Sequence, residues 1–307
     1  MPTADTRRAE RAAVIGGGLM GHGLAQVLAV AGLSVTVHDP VAEALASVPG
    51  RVAANLRGLR GDLGALDRIA LSDSLEAAVA DADWVFEAAP EKLELKQEIF
   101  RRLDAAAPPG AVLASNSSVM RVGDVAARAA GRERILGTHW WNPPYLVPLV
   151  EVVQGEETEP AVVERTLAFL RGLGKTAVHV KRDVAGFVGN RLQHALWREA
   201  LDLVDSGVCD AETVDTVVKA GFGARLAVLG PIENADLVGL DLTLDIHSYV
   251  LPRLDPPSEP ARGLRERVER GELGMRTGSG YLEWTPEAAD EVRRRLREHL
   301  VATWGAP

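Results

Sequence analysis

The sequence predicts an α/β N-terminal domain with a mostly parallel sheet, residues 1–183, followed by an all-helical C-terminal domain, residues 184–307. Three observations predict this division. Up to about Val180, short β-branched runs alternate with longer stretches of helical character, which is the pattern of βα units. After Asp183 the strand pattern stops, and apolar residues recur at helical spacing. A chain of 307 residues also exceeds the usual size of one hydrophobic core.

The strands of the first domain are predicted where apolar, β-branched runs are short and bounded by turn residues. They are residues 12–15, 35–38, 84–87, 111–115, 135–138, 149–153 and 177–180. In the second domain, helical spacing predicts helices over residues 187–204, 212–219, 237–254 and 260–270. A last helix should begin after Thr285, because Thr285 can cap free amides and Pro286 needs no amide partner in the first turn.

Composition and charge favour small-molecule partners. The formal net charge of -9 gives little attraction for nucleic acid or an anionic membrane surface, so neither is expected as a partner. No stretch of eighteen uninterrupted apolar residues is present, so no membrane span is expected. Cys209 is the only cysteine and cannot form a disulfide within the chain, which favours the reducing cytoplasm.

A glycine-rich turn follows the first predicted strand. Residues 16–21 read GGGLMG, which matches the pattern GxGxxG between a strand and a helix. Gly16 permits a tight turn, Gly18 lets the backbone approach a pyrophosphate, and Gly21 lets the helix pack on the strand. Eighteen residues after Gly21, Asp39 can accept the ribose hydroxyls of NAD and repel the 2'-phosphate of NADP. The pattern predicts a Rossmann domain that binds NAD; the alternative is a glycine-rich turn in a ligand-free α/β domain.

A histidine and a glutamate form the predicted catalytic pair. His139 lies where a predicted strand ends and a proline-rich turn begins, so it should lie at the carboxyl edge of the sheet, where ligands bind. Glu151 interrupts the apolar run at residues 149–153, and a buried carboxylate requires a donor. A carboxylate on one nitrogen of His139 would leave the other nitrogen to exchange a proton with a substrate oxygen. The alternatives are a structural histidine and a glutamate on an exposed strand face.

Other polar residues carry weaker signals. Residues 115–118, SNSS, end another predicted strand, and their hydroxyls and amide can bond a substrate oxygen or form an ordinary polar loop. Asn190, at the start of the first helix of the second domain, either closes the site or caps the helix. His22, next to the glycine motif, is expected on the helix surface rather than in catalysis.

Six motifs follow one another along the chain. They are GGGLMG at residues 16–21, PEKLELK at 90–96, SNSS at 115–118, HWWNP at 139–143, LVEV at 149–152 and GFVGNR at 186–191. With these motifs the chain resembles the L-3-hydroxyacyl-CoA dehydrogenase family, over residues 14–284. The resemblance implies that His139 is the acid-base residue and Glu151 its partner. It also implies that Ser118 and Asn190 bind the reacting oxygen of the substrate.

The same resemblance implies NAD as the cofactor, no metal, and a homodimer formed through the C-terminal domain. The residues it assigns to the cofactor are Gly16, Gly18, Leu19, Met20, Gly21, Asp39, Glu91, Lys96, Asn116, Ser118, Asn142 and Arg276. Arg276 lies in a segment similar to the GxKTGxGFY segment of the family, at a position where a lysine is usual.

Two departures from the family concern the substrate. Residues 39–73 are shorter than the helical arm with which fatty-acid members bind coenzyme A. The arginines of this region, at positions 51, 57 and 60, either meet CoA phosphates or lie on a solvated helix face. Residues 221–231 are longer than usual and resemble the branch of lambda-crystallin/L-gulonate, carnitine and hydroxymethyl-pyridine acid dehydrogenases. Arg225 in this segment either pairs with a substrate carboxylate or makes a structural salt bridge.

The sequence therefore predicts an NAD-dependent dehydrogenase in which His139 removes the hydroxyl proton. An L-3-hydroxyacyl-CoA thioester, the substrate class of fatty acid metabolism, is the first choice of substrate. A free small hydroxy acid or alcohol is the alternative, and a catalytically silent, crystallin-like structural protein is a remote one.

Overall fold

The computed structural model describes residues 10–254 and 260–305. These residues form two compact units. The first unit contains the described residues up to Arg191 together with those from Arg297 onward, and the second is Leu192–Leu296.

One eight-stranded sheet organises the first unit, with strand order β3-β2-β1-β4-β5-β6-β7-β8. Neighbouring strands are parallel except β6 and β7, which are antiparallel. This confirms the predicted mostly parallel sheet. The strands are β1 Arg11–Ile15, β2 Ser34–His38, β3 Ile69–Ser72, β4 Trp84–Glu87, β5 Val112–Ser115, β6 Ile135–Trp140, β7 Leu149–Val153 and β8 Thr176–Val180.

The sequence analysis missed one of these strands, β3. Its sequence is IALS, and none of its residues is buried. Since β3 is an edge strand held only by its parallel pairing with β2, it lacks the buried β-branched run by which central strands are recognised.

Helices cover both faces of the sheet, and each face has its own core. Along β1, Ala12 and Val14 face one core, whereas Ala13 and Ile15 face the other, as strand geometry requires. The helices are α1 Gly21–Val30, α2 Ala42–Leu59, α3 Leu75–Val79, α4 Leu93–Ala106, α5 Val122–Val125 and α6 Pro160–Gly172.

The helices after the sheet are α7 Gly189–Asp205, α8 Ala211–Ala220, α9 Pro231–Val238, α10 Leu240–Val250, α11 Arg262–Glu269 and α12 Pro286–Trp304. The predicted cap of the last helix is confirmed, because Oγ1 of Thr285 accepts a hydrogen bond of 3.1 Å from the amide of Ala288. The prediction of one helix over residues 237–254 was wrong. Gly239, with φ of 104°, separates α9 from α10.

In the described ranges, no helix combines the length and the apolar character that a membrane crossing needs. The same residues contain no group of three or more histidine, cysteine, aspartate or glutamate side chains that could hold a metal ion.

Candidate active site

The turn between β1 and α1 has the geometry of a phosphate-binding loop. Gly16 has φ of 104°, and a Cβ on it would lie 2.6 Å from the carbonyl oxygen of Ala88. A Cβ on Gly21 would lie 1.6 Å from the carbonyl oxygen of Gly16, so this position requires glycine for helix packing. At Gly18 no heavy atom lies within 4 Å of the Cβ position. The backbone at Gly18 is therefore open to a ligand, and the amides at the start of α1 suit a pyrophosphate.

Asp39, just after β2, supports this turn. Its Oδ2 accepts a hydrogen bond of 2.8 Å from the amide of Gly17, and its Oδ1 accepts one of 2.8 Å from the amide of Val41. Each carboxylate oxygen keeps a second lone pair that can accept from a ribose hydroxyl. The turn residues Leu19 and Met20 differ in exposure, because Leu19 is 62% exposed whereas Met20 packs against the core.

His22 is buried, so its expected position on the helix surface was wrong. Its exposed fraction is 6%, and its Nδ1 lies 2.8 Å from the carbonyl oxygen of Gly18. Burial lowers the pKa of His22, more than the hydrogen bond with Gly18 raises it. The glycine-rich turn contacts His22 in the first turn of α1. Helical spacing alone does not predict burial that arises from this contact.

His139 and Glu151 face each other across the antiparallel pair β6 and β7, where they are direct cross-strand partners. Directly opposed residues project to the same side of a sheet with Cβ atoms about 5 Å apart. The Nδ1 of His139 lies 2.7 Å from Oε2 of Glu151. The exposed fractions of the two residues are 3% and 1%, so the contact is shielded from water.

The other oxygen of Glu151 is bound at the start of α7. Oε1 accepts hydrogen bonds of 3.0 Å from the amides of Val188 and Gly189. Burial by itself would raise the pKa of Glu151, but the hydrogen bonds from His139, Gly189 and Val188 outweigh it and lower the pKa. Glu151 is therefore a carboxylate at neutral pH, which holds a proton on Nδ1 of His139.

Two aromatic rings flank His139. The ring centroid of Trp141 lies 5.3 Å from that of His139, and the ring of Phe187 lies 5.6 Å away. A Cβ on Gly189 would lie 2.5 Å from the ring of Trp141, so close packing on this side requires glycine. Within the described ranges Nε2 of His139 has no hydrogen-bond partner. This nitrogen is available to a substrate oxygen.

Ser118 and Asn190 are in direct contact. Nδ2 of Asn190 donates a hydrogen bond of 2.7 Å to the carbonyl oxygen of Ser118. Glu91 lies on the other side of the same loop, where it accepts a hydrogen bond of 3.0 Å from the amide of Ser118 and another from the hydroxyl of Ser117. Oδ1 of Asn116 accepts a hydrogen bond of 2.9 Å from the amide of Trp140. The loop after β5 is thus fixed to α7 and to β6.

The sequence did not predict the buried ion pair between Glu87 and Lys96. Nζ of Lys96 lies 2.7 Å from Oε1 of Glu87 and 3.3 Å from Oε2 of Glu91. The hydroxyl of Ser115 donates a 2.9 Å hydrogen bond to Oε2 of Glu87. Glu87 ends the apolar strand WVFE, just as Glu151 interrupts β7. An acid within a buried strand was therefore a usable signal for both. Lys96 is 1% exposed, and its contact with NAD stays a prediction.

Three other predicted residues are exposed. Asn142 follows β6 and is joined to Pro143 by a cis peptide bond. Arg225 and Arg276 belong to the second unit. Among the described residues neither arginine side chain forms a hydrogen bond or an ion pair. The structural salt bridge considered for Arg225 is thus absent from the part of the chain described.

Two family models together cover most of the chain. Residues 11–184 match the model of the NAD binding domain of 3-hydroxyacyl-CoA dehydrogenase, and residues 186–284 match that of its C-terminal domain. With the open glycine turn and the paired histidine, these matches define an NAD-dependent dehydrogenase that acts on CH–OH groups. The chain belongs to the 3-hydroxyacyl-CoA dehydrogenase family.

Individual relatives differ in substrate. The chain is 34% identical to 5-formyl-3-hydroxy-2-methylpyridine 4-carboxylate 5-dehydrogenase of Mesorhizobium japonicum, over 94% of this chain and 96% of the relative. It is 43% identical to L-carnitine dehydrogenase of Streptomyces coelicolor, over 74% of this chain and 71% of the relative.

Solved structures similar to this chain also differ in substrate. A crystal structure of the pyridine-carboxylic acid 5-dehydrogenase, described as an NAD+ dependent dismutase, has a TM-score of 0.89 at 33% identity and covers 96% of this chain and 97% of its own. The structure of 3-hydroxybutyryl-CoA dehydrogenase from Escherichia coli has a TM-score of 0.75 at 32% identity, over 91% of this chain and 60% of that chain.

Proposed function

We propose that this protein oxidises the hydroxyl group of a free small molecule that carries a carboxylate. The observation that carries this proposal is the match, with a TM-score of 0.89 over 96% of the chain, to a dehydrogenase of a pyridine carboxylic acid. Similarity to L-carnitine dehydrogenase at 43% identity supports it. Carnitine and the pyridine acid both carry a carboxylate, and neither carries coenzyme A.

A 3-hydroxyacyl-CoA thioester, the first choice from the sequence, is the second candidate. It is supported by the family itself and by the similarity to 3-hydroxybutyryl-CoA dehydrogenase. The region expected to bind coenzyme A, which follows Asp39, argues against a thioester substrate. Between Asp39 and β3 the structure has α2, of 18 residues, and one short 3-10 turn, Leu63–Arg68. A single helix followed by a turn lacks the second helix of a helical arm.

The proton transfer follows from the contacts of His139. Because Glu151 holds the proton on Nδ1, Nε2 is the nitrogen that accepts the proton of the substrate hydroxyl. The imidazolium that forms is stabilised by the charge of Glu151, itself fixed by two amides of the 187–189 segment. The residues around Gly18 and Asp39 would hold NAD+, which would supply the acceptor for the hydride of the carbinol carbon. In the reverse direction His139 returns the proton to the alkoxide oxygen.

Binding of substrate and cofactor is assigned to polar groups around this pair. Ser118, whose hydroxyl has no partner among the described residues, and Asn190 hold the reacting oxygen in our proposal. Asp39 binds the adenosine ribose, and the amides after Gly18 bind the pyrophosphate. Arg225, exposed and without an ion pair in the described ranges, is the proposed partner of the substrate carboxylate.

A panel of substrates tests the proposal. NADH formation should be measured with L-carnitine, L-gulonate and hydroxymethyl-pyridine carboxylates, alongside NADH consumption with acetoacetyl-CoA. We expect kcat/KM to be largest for a free carboxylate substrate, and Arg225→Met to raise its KM with little change in kcat. Higher kcat/KM with acetoacetyl-CoA would make the thioester the substrate class. NAD binding without turnover across the panel would favour the structural-protein alternative.

We also propose that the protein is a cytoplasmic homodimer joined through its second unit. The helices of this unit expose many large apolar side chains, among them Val228 at 81% and Ile232 at 75%. Such a surface is typical of an interface. The location rests on Cys209, the single cysteine, which suits a reducing compartment.

A further inference from the structure

A cavity of about 840 Å³ lies in the first unit, apart from the residues assigned to the dehydrogenase reaction. Its walls come from α1, from the end of α2, from the 145–148 connection between β6 and β7, from the turn before β8, and from the end of α12. The volume lies in the range of small-molecule sites, about 300–1,000 Å³. None of the proposed catalytic or cofactor residues lines it.

Most of the cavity wall is apolar. Its apolar lining includes Val27 and Val30 of α1, Leu59 of α2, Leu173 and Trp304. Val30 and Trp304 remain 56% and 53% exposed, although each is a large apolar side chain. An apolar body in the cavity would cover them and gain hydrophobic free energy of about 25 cal/mol per Å² of buried area.

Lys175 is a charged residue of this wall. Its Nζ donates a 3.1 Å hydrogen bond to the carbonyl oxygen of Val147 and another to that of Pro144, and it lies 5.4 Å from the ring centroid of Trp140. No carboxylate among the described residues forms an ion pair with it. Burial lowers the pKa of Lys175 to about 8. An ammonium has three donors, so one remains for a ligand.

The other charged groups around the cavity leave it with an excess of positive charge. Arg60 lines the wall and has no side-chain partner among the described residues, whereas Asp62 uses its Oδ1 to accept a 2.8 Å hydrogen bond from the amide of Gly64. Tyr145 adds a hydroxyl that donates to Oδ1 of Asn55 at 3.1 Å. A single negative charge beside Lys175 would balance these groups.

We propose that this cavity binds a carboxylate with a short apolar body, its carboxylate on Lys175 and its body against Val30 and Trp304. The cation without an acidic partner selects the charge of the ligand, and the apolar wall selects its body. Lys175 bonds carbonyls in the connection between β6 and β7, the strands that carry His139 and Glu151. A substitution of Lys175 can therefore change turnover indirectly, so the test measures binding itself.

Isothermal titration calorimetry on the NAD-saturated protein tests the site, with hexanoate and its neutral counterpart hexanamide as probes. We expect one hexanoate bound per chain and an affinity for hexanamide at least about tenfold weaker, the ratio for a loss of about 1.4 kcal/mol. Lys175→Met should weaken hexanoate at least about tenfold. Lys181→Met, at an exposed lysine just after β8, is the matched control and should bind as the wild type does.

Lys175→Arg, which keeps the charge, should retain hexanoate binding, and circular dichroism melts should show that each variant folds. Affinity should also decrease as the pH rises above 8, because a neutral amine does not attract a carboxylate. Equal binding of hexanoate and hexanamide, unchanged binding by Lys175→Met, or no binding at 10 mM hexanoate (about 2.7 kcal/mol or weaker) would each overturn the proposal. None of these results bears on which alcohol the enzyme oxidises.

Discussion

The two units of the protein differ in how they bury their apolar residues. In the first unit every residue of β4, β5 and β6 is buried, and two cores fill the faces of the sheet. In the second unit, Ala289 is the only described residue that is buried. Its helices nevertheless carry apolar side chains, of which Leu237 is 72% exposed. The first unit forms its own core, whereas the described helices of the second unit leave most of their large apolar side chains at least partly exposed.

The two units also differ in the candidate active-site contacts that they contain. The contacts that link His139, Glu151, Asn190 and Ser118 all lie in the first unit. The strands that hold His139 and Glu151 are fixed by sheet hydrogen bonds, so their side chains are already oriented. Substitutions of these first-unit residues should therefore act on turnover, whereas changes to the exposed apolar side chains of the second unit should act on assembly.

The largest effect is expected from His139→Gln. Loss of a positioned acid-base group should lower kcat about a hundredfold to ten-thousandfold, because such groups contribute that much to proton transfer. The Kd for NADH, measured by fluorescence, should change little. Wild-type kcat in this variant would show that the proton is moved by another group.

Glu151→Gln should have the next largest effect, a decrease in kcat of about tenfold to a hundredfold, since a hydrogen bond to a charged group is worth about 1.5–3 kcal/mol. The glutamine oxygen can still accept from Val188 and Gly189, but its NH2 group would face Nδ1 of His139 and favour the wrong tautomer. Stopped-flow and steady-state kinetics would measure the loss.

The pH dependence of stability gives an independent measurement of Glu151. The hydrogen bonds from His139, Gly189 and Val188 hold the pKa of folded Glu151 below its ordinary value, so the stability it contributes is present above that ordinary pKa and is lost as the pH falls through the lowered pKa. The difference in unfolding free energy between wild type and Glu151→Gln should shrink at pH values below that ordinary pKa. A difference that stays constant would mean that the carboxylate is not held ionised by its neighbours.

Asp39→Asn should change cofactor choice by a smaller factor. Removal of the charge should lower kcat/KM for NAD+ about tenfold and reduce the discrimination against NADP+, because the carboxylate no longer repels a 2'-phosphate. The amide of Gly17 or that of Val41 loses its acceptor in this variant, so a melting curve is needed beside the kinetics. Equal use of both cofactors by the wild type would refute the role of Asp39.

The last prediction concerns the oligomeric state of the protein, not its activity. Sedimentation at micromolar concentration should give a homodimer, twice the chain mass of 32.8 kDa. The melting temperature should rise with protein concentration, as linkage requires when only the folded chain associates. A monomer would show that the apolar surface of the second unit is covered in some other way.

Much of the first unit follows from local pattern. The glycine turn after β1 and the acid at position 39 were recognised from the chain, because turn geometry and ligand chemistry restrict residue type over a few positions. An acid in a buried strand predicted a donor for Glu151. The same reasoning applied to Glu87 would have revealed its pairing with Lys96, which lies nine residues away.

The predictions that were wrong or incomplete concern segments whose structure is decided by contacts with other segments. The edge strand β3 is paired on one side only, and its sequence lacks the pattern of a buried strand. The helix predicted over residues 237–254 is divided at Gly239, since a glycine inside a helical pattern can either continue the helix or end it. His22 is buried beneath a turn that precedes its own helix.

The sequence by itself determined the strand–turn–helix of the predicted NAD site, the identity of the candidate acid-base pair, and the change from α/β to helical structure after the last strand, β8. Only the tertiary structure decided that β7 runs antiparallel to β6 and sets Glu151 opposite His139. It also decided that the amides of Val188 and Gly189, at the start of α7, hold the second oxygen of Glu151. The physical reason is that periodicity and turn chemistry act between near neighbours in the chain, whereas strand register is fixed by packing between distant segments.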